Sequence, residues 1–237
     1  MRYHRTGGVR VGTSTASTSD ERVEFDLNAV PRLSLGLIAE GGLGFRMQWW
    51  QHNHAEDAFV PATGTPPTAQ RFAVDAYTVD LEIFEEFPVH RNWTLIPAGG
   101  FRFTGFEEHM HDNAEFRYNE FFGIAPVIGI EARRKLWYGN LYGRLRVATP
   151  MGDKRKGNLN DTPVRLLDTL HTQMEIAAGY RAMRQLPGGL TLSWWVGFET
   201  QEWFAMSSSF STASEDKFDG DSDVGFGGLA FGLGLTR

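Results

Sequence analysis

Residues 122–133, FGIAPVIGIEAR, carry an apolar side chain at nearly every second position from Phe122 to Ala132. The positions between them hold mainly small residues and then one charge of each sign, Glu131 and Arg133. Because successive side chains of a β-strand point to opposite faces, this alternation predicts a strand with one apolar and one polar face. The run is also about twice as long as an ordinary globular strand.

The same period of two recurs along most of the chain and predicts about ten strands. Pro31 is the expected break within the first long run, because proline cannot donate to a strand ladder. The further runs span residues 9–12, 23–39, 43–50, 77–83, 93–104, 141–148, 170–181, 190–201 and 228–235.

The connections alternate between long polar segments and short turns. This order is typical of up-and-down hairpins with long loops at one end of a barrel and short turns at the other. We therefore expect an all-β fold, a closed antiparallel up-and-down transmembrane β-barrel of about ten strands (range about eight to twelve), with residues 1–237 as a single domain. The long connections are 13–21, 52–71, 107–118, 150–167 and 205–223, and the short ones are 40–42, 85–92, 134–140 and 185–189.

Periodicity alone does not say which face lies outside, since a soluble barrel is apolar inside and a membrane barrel is apolar outside. Three features favour the membrane version: mixed charges on the polar face, runs long enough to cross a bilayer, and aromatic residues near strand ends. A soluble ligand-binding barrel remains the alternative. The aromatic residues are Trp49, Tyr77, Trp93, Phe101, Phe103, Phe122, Trp137, Tyr138, Tyr180, Trp203 and Phe204.

Composition excludes several other classes. The 237 residues include 23 Lys and Arg against 29 Asp and Glu, a formal net charge of −6, and no cysteine. The missing cysteine removes disulfides and thiolate metal sites, and the acidic balance argues against a nucleic-acid partner. The glycines of residues 225–234 are followed by no helix, so they are not a dinucleotide fingerprint, and we expect no cofactor. No apolar stretch follows Met1–Arg5, so we expect no signal peptide in this sequence.

Several of these runs resemble, in the same order, the Legionella major outer-membrane protein family and its relatives in planctomycetes. The resemblance covers roughly residues 43–236. It implies a pore-forming or surface β-barrel of the outer membrane, with the lipid bilayer as its partner. The matching stretches are 76–82 (AYTVDLE), 93–106 (WTLIPAGGFRFTGF), 122–134 (FGIAPVIGIEARR), 141–144 (LYGR) and 224–236 (VGFGGLAFGLGLT).

The charges on the polar face are the main candidates for function. If they are paired, they plug the lumen and hold the barrel rigid. In a wider barrel they would line a polar pore and bias it toward anions. About ten strands leave a narrow interior, between filled eight-stranded barrels and open porins. The residues expected to line the lumen are Arg46, Asp80, Glu82, Arg102, Glu131, Arg133, Arg144, Arg146, Glu175, Arg181 and Glu199.

Two segments of the long connections carry further candidate chemistry. His109, His111 and Asp112 could bind a divalent metal, or could activate water in a barrel hydrolase, although a solvated loop is the simpler interpretation. The basic run 154–156 (KRK) could contact lipopolysaccharide phosphates by point charge.

The sequence therefore predicts a non-enzymatic outer-membrane β-barrel with a narrow or charge-plugged lumen. It would act as a small pore or as a surface or structural protein, with small solutes or lipopolysaccharide as further partners. The alternatives are an outer-membrane hydrolase with the loop His/Asp site and the soluble ligand-binding barrel.

Overall fold

The computed structural model describes residues 2–5, 28–39, 41–60, 68–111, 116–158, 163–187, 191–208 and 221–236. Within these residues the regular structure is almost entirely β, and its strands form one antiparallel sheet. The thirteen described strands are β1 (Arg2–Arg5), β2 (Arg32–Ile38), β3 (Leu43–Val60), β4 (Thr68–Glu85), β5 (Phe87–His90), β6 (Trp93–His111), β7 (Phe116–Leu136), β8 (Gly139–Ala148), β9 (Met151–Asn158), β10 (Val164–Leu170), β11 (Thr172–Gln185), β12 (Thr191–Ser208) and β13 (Asp221–Thr236).

Neighbours in sequence are mostly neighbours in the sheet, as an up-and-down connection requires. The main path runs β1-β13-β12-β11-β8-β7-β6-β4-β3-β2. The remaining strands extend it: β5 pairs with β6, and β9 pairs with both β7 and β10. β8 and β9 lie against successive parts of β7, separated by residues 149–150, so together they follow one line across the sheet.

The strands extend well into segments that the sequence predicted as long loops. β3 continues to Val60, β6 continues to His111, and β9 and β10 occupy most of 150–167. The prediction was wrong there because apolar alternation ends before backbone pairing does. Beyond the apolar band β3, β6 and β9 are mostly polar on both faces, so no periodic signal marks the strand there. β10 carries exposed apolar residues such as Leu167, but its register shifts between Leu166 and Thr169, which interrupts the alternation.

At the amino-terminal end the described residues agree only in part with the predicted runs. β2 begins at Arg32, directly after Pro31, as the expected break allowed. The run 9–12 and the first part of 23–39 lie outside the described residues, and a strand is found instead at Arg2–Arg5, paired with β13.

The two faces of the sheet are inverted relative to those of a soluble protein. Large apolar side chains are exposed, for example Ile128 at 68% and Phe231 at 85%. Charged side chains of the same sheet are buried, with Asp80 and Arg102 each 1% exposed. A soluble barrel would need the opposite arrangement, because it hides apolar area from water. Within the described residues no helix is long and apolar enough to span a membrane.

The sheet curls so that strands far apart along its path meet on the concave side. The rings of Trp50 on β3 and Phe226 on β13 lie 5.1 Å apart, although six strands separate β3 from β13 along the path. Arg32 on β2 likewise contacts Glu199 on β12. The buried face is therefore the inside of a barrel-like curl.

The prediction that Trp203 belongs to the aromatic residues at the membrane interface was wrong. Its side chain is fully buried inside the curl, on the same face as Gln201. Strand alternation explains this, since Trp203 has the parity of the polar positions of β12 rather than that of Trp194 and Val196. Phe101, Phe122, Trp137 and Tyr138 are exposed.

Candidate functional site inside the curled sheet

Opposite charges meet as cross-strand neighbours on the concave face. Arg46 on β3 lies opposite Glu82 on β4, and its Nε donates to Glu82 Oε2 at 2.6 Å. Asp80 on β4 lies opposite Arg102 on β6, with Nε and Oδ1 2.6 Å apart. Such directly opposed pairs stabilise a sheet, whereas like charges in the same positions would destabilise it.

Arg146 connects these pairs to the far wall of the curl. Arg146 on β8 lies opposite Glu175 on β11, and Nη1 approaches Oε2 at 3.1 Å. Its Nη2 also donates to Asp80 Oδ2 at 2.5 Å and to Glu82 Oε1 at 2.6 Å. One guanidinium therefore joins three carboxylates from two sides of the interior.

Glu175 is the matching acidic centre. Its Oε1 accepts a hydrogen bond from Arg144 Nη2 at 2.6 Å, and its Oε2 lies 3.4 Å from Nη2 of Arg102. Arg32 of β2 reaches the same carboxylate at 3.4 Å and also contacts Glu199. Arg32 was on the polar face of its predicted run but outside the predicted lumen set, and it links β2 to β11 and β12.

We call the set of inward-facing charges on these strands the charge layer. Its carboxylates are at most 3% exposed, so each charge has lost most of its water and depends on its partners. The layer contains all eleven residues expected to line the lumen, together with Arg32: Arg32, Arg46, Asp80, Glu82, Arg102, Glu131, Arg133, Arg144, Arg146, Glu175, Arg181 and Glu199.

At the end of the sheet with short turns, the charge layer is less evenly paired. Arg133 donates to Glu131 at 2.5 Å and to Glu86 at 2.7 Å. Arg181 instead lies over the ring of Tyr142, with its Cζ 5.7 Å from the ring centroid. At this end Arg133 therefore has two carboxylate partners, whereas Arg181 has none among the described residues.

On the other side of the charge layer, toward the long connections, the interior is filled by aromatic side chains. Trp50, Phe106, Trp203 and Phe226 are all buried, and the ring centroids of Trp203 and Phe226 are 5.4 Å apart. We call this cluster, with the other apolar residues packed in it, the aromatic layer. Its members are Trp50, Phe72, Val74, Ala76, Phe106, Phe121, Trp203, Met206, Val224 and Phe226.

Sequence reasoning missed the aromatic layer as an interior feature. A signal was available, because Trp50 and Trp203 share strand parity with Gln48 and Gln201, which are buried. Aromatic residues at polar-parity positions of a membrane strand should therefore be assigned to the interior.

A β-bulge in β12 lies beside the aromatic layer. The register of β12 against β13 shifts between Trp203 and Ser207, and Ala205 has a positive φ of 57°. Two backbone carbonyls of this bulge accept hydrogen bonds from side chains of other strands. Met206 O accepts one from Asn119 Nδ2 at 3.1 Å, and Ala205 O accepts one from Lys154 Nζ at 3.3 Å. The bulge thereby ties β12 to β7 and β9 across the interior.

The histidines of the predicted metal or hydrolase site do not lie in a loop. His109 and His111 belong to β6 rather than to a loop, and both rings lie near Phe116, at 5.5 and 6.2 Å. Asp112 lies outside the described residues. Among the residues that the structure describes, no three His, Asp or Glu side chains are grouped as metal ligands.

The basic run 154–156 does not present three charges to the outside. It belongs to β9, so its side chains alternate, and Lys154 and Lys156 are buried while Arg155 is exposed. Of this run, Arg155 is therefore the side chain exposed on the outside of the sheet.

A strongly curled antiparallel sheet that is apolar outside and charged inside defines the class of outer-membrane β proteins. The family model described as Legionella pneumophila major outer membrane protein precursor matches residues 5–236. The chain belongs to this family and is an outer-membrane protein. The match begins well upstream of residue 43, where the resemblance in the sequence started. No curated protein and no solved structure matched the chain.

Proposed function

We propose that the chain forms a closed outer-membrane β-barrel whose lumen is sealed by the charge layer and the aromatic layer. Such a protein would serve as a structural or surface protein of the outer membrane rather than as a general diffusion channel. The observation that carries the proposal is Arg146, which joins Asp80 and Glu82 on one side of the interior to Glu175 on the other.

Strand direction supports closure. Every neighbouring pair along the ten-strand main path is antiparallel. With an even number of alternating strands, the two terminal strands β1 and β2 run in opposite directions and can pair antiparallel. Lipid offers no hydrogen-bond partner for an open sheet edge, so closure is strongly favoured in a membrane. The proposed barrel takes the ten strands of the main path as its wall.

Two independent seals support a blocked lumen. The charge layer spans the interior with direct ion pairs, and the aromatic layer fills it on the side of the long connections. A pore would require both layers to separate, and separation would leave desolvated charges without partners.

Closure is tested by electrophoresis of the refolded protein with and without boiling. We expect the unboiled protein to migrate faster, as a compact barrel that resists detergent, and to slow on boiling. Equal mobility in both lanes, with the protein soluble in the absence of detergent, would reject the membrane barrel.

The sealed lumen is tested by conductance in planar bilayers. We expect no stable open-channel current from the unaltered chain. The triple variant Phe106→Ala/Trp203→Ala/Arg146→Ala should produce measurable currents, because it removes two adjacent rings of the aromatic layer and the guanidinium that bridges the charge layer. Phe101→Ala, on the exposed face, is the matched control and should give no channel current. Steady porin-like current from the unaltered chain would overturn the proposal.

A further inference from the structure

The charge layer contains seven arginines but only five carboxylates. Glu86, at the end with short turns, adds a sixth by pairing with Arg133 at 2.7 Å. Six of the arginines have a carboxylate oxygen within 3.4 Å. Arg181 is the seventh and forms no ion pair with any residue that the structure describes; its guanidinium lies over the Tyr142 ring instead.

The surroundings of Arg181 do not neutralise it. The charged groups that act on it from β7 and β8 are Glu131, Arg133 and Arg144, two of them positive. Glu131 is already bound by Arg133 at 2.5 Å. Arg181 is therefore half-buried and only partly hydrated, with no carboxylate of the described residues in ion-pair contact with it.

A second donor nearby also lacks a partner. The Nε–H of Arg144 is buried and donates to no acceptor among the described residues, although Nη2 of the same side chain donates to Glu175. Buried donors without partners are rare in proteins and call for an explanation, such as an absent ion or water.

Arg181 and Arg133 lie near the end of the sheet that carries the short turns. Arg181 lies four residues before the end of β11, and Arg133 lies three residues before the end of β7. The two strands flank β8, where Asn140 is opposite Arg181 and Tyr142 is opposite Arg133. The arginines thus surround the first residues of β8 from both sides.

We propose that Arg181, with Arg133 and Arg144 beside it, forms a binding site for a small oxyanion such as phosphate at the short-turn end of the interior. A guanidinium offers a planar pair of N–H donors that match two oxygens of one oxyanion. The bound anion supplies the negative charge that the charge layer lacks. The site rests on the proposed barrel, since only a closed sheet gives it an interior.

The test uses the full refolded chain in a non-ionic detergent free of lipid and phosphate, titrated with inorganic phosphate by calorimetry. We expect saturable binding, and a melting temperature that rises with phosphate concentration because the ligand binds the folded state. Arg181→Gln should weaken binding about tenfold or more, since a charge-assisted hydrogen-bond pair is lost. The same titration in phospholipid vesicles distinguishes free phosphate from a lipid headgroup, which would compete.

Arg184→Gln is the matched control, because Arg184 lies on the same strand, carries the same charge and is exposed. It should bind phosphate as the unaltered chain does. If Arg181→Gln fails to fold, Arg181→Lys keeps the charge but loses the paired donors and should bind several-fold more weakly. Unchanged binding in Arg181→Gln, or no binding in the unaltered chain, overturns the site. The boiling shift on the gel reports the barrel separately, so failure of the site leaves closure intact.

Discussion

Arg102 and Asp80 form a two-point ion pair inside the curled sheet, with Nε 2.6 Å from Oδ1 and Nη2 3.0 Å from Oδ2. Both side chains are almost fully buried, and they occupy opposite positions of β6 and β4. Because Asp80 also binds Arg146, one carboxylate holds two guanidinium groups in place. Loss of the Asp80 carboxylate would therefore leave both arginines without this partner.

Asp80→Asn should destabilise the folded protein by about 3–5 kcal/mol, because it leaves two buried arginines short of a counter-charge. The measurement is the free energy of unfolding by urea in detergent micelles. Asp153→Asn is the control, since Asp153 is 39% exposed, pairs with the exposed Arg165 and should cost no more than about 1 kcal/mol. Equal losses in both variants would contradict a special role for the buried pair.

Trp203→Ala should cost about 3–5 kcal/mol, because it opens a cavity in the aromatic layer. The same urea titration measures it. Trp137→Ala, at a side chain that is 83% exposed, is the control and should change the free energy of unfolding by less than about 1 kcal/mol. A small effect at Trp203 would mean that the aromatic layer is loosely packed.

Gly179→Ala should destabilise the protein by about 1–3 kcal/mol through overpacking. A Cβ at Gly179 would lie 2.9 Å from the Tyr142 hydroxyl and 2.6 Å from Gly197 Cα, and would also meet Val196 O. Gly143→Ala is the control, because a Cβ there meets nothing within 4 Å. We expect Gly143→Ala to be neutral or slightly stabilising by thermal unfolding, and a reversed order of the two variants would argue against this packing.

Arg32→Ala should loosen β2 more than the rest of the sheet, since Arg32 is the contact of β2 with Glu175 and Glu199 across the interior. Hydrogen exchange measured by mass spectrometry should show faster exchange in residues 33–37, with little change in β7. Arg155→Ala, on the exposed face of β9, should leave the exchange of β2 unchanged. Uniformly faster exchange over all strands would instead indicate a global loss of stability.

The features that sequence could predict are those that repeat with a period of two. The strand class, the short turns and the exposed apolar face all follow from that alternation, as at Phe101 and Phe122. Strand ends could not be predicted, because pairing between β6 and β7 continues to His111 and Phe116 without any apolar signal.

The partners within the charge layer were also beyond sequence reasoning. Neighbouring pairs such as Asp80 and Arg102 depend on strand register, which the short turns fix only approximately. Arg32 meets Glu175 only because the sheet curls, and no local pattern encodes a contact between residues 143 positions apart.

The spacing of the charge layer along the sequence constrains how the chain can enter a lipid bilayer. Asp80 and Arg102 are 22 residues apart and belong to one hairpin, so these two charges can pair as soon as the hairpin forms. The partners of Arg146 on β4 are 64 and 66 residues upstream, and Glu199 is 167 residues from Arg32. A partly inserted sheet would expose these guanidinium groups to hydrocarbon, where each is costly. We therefore expect membrane insertion and curling of the sheet to proceed together rather than one strand pair at a time.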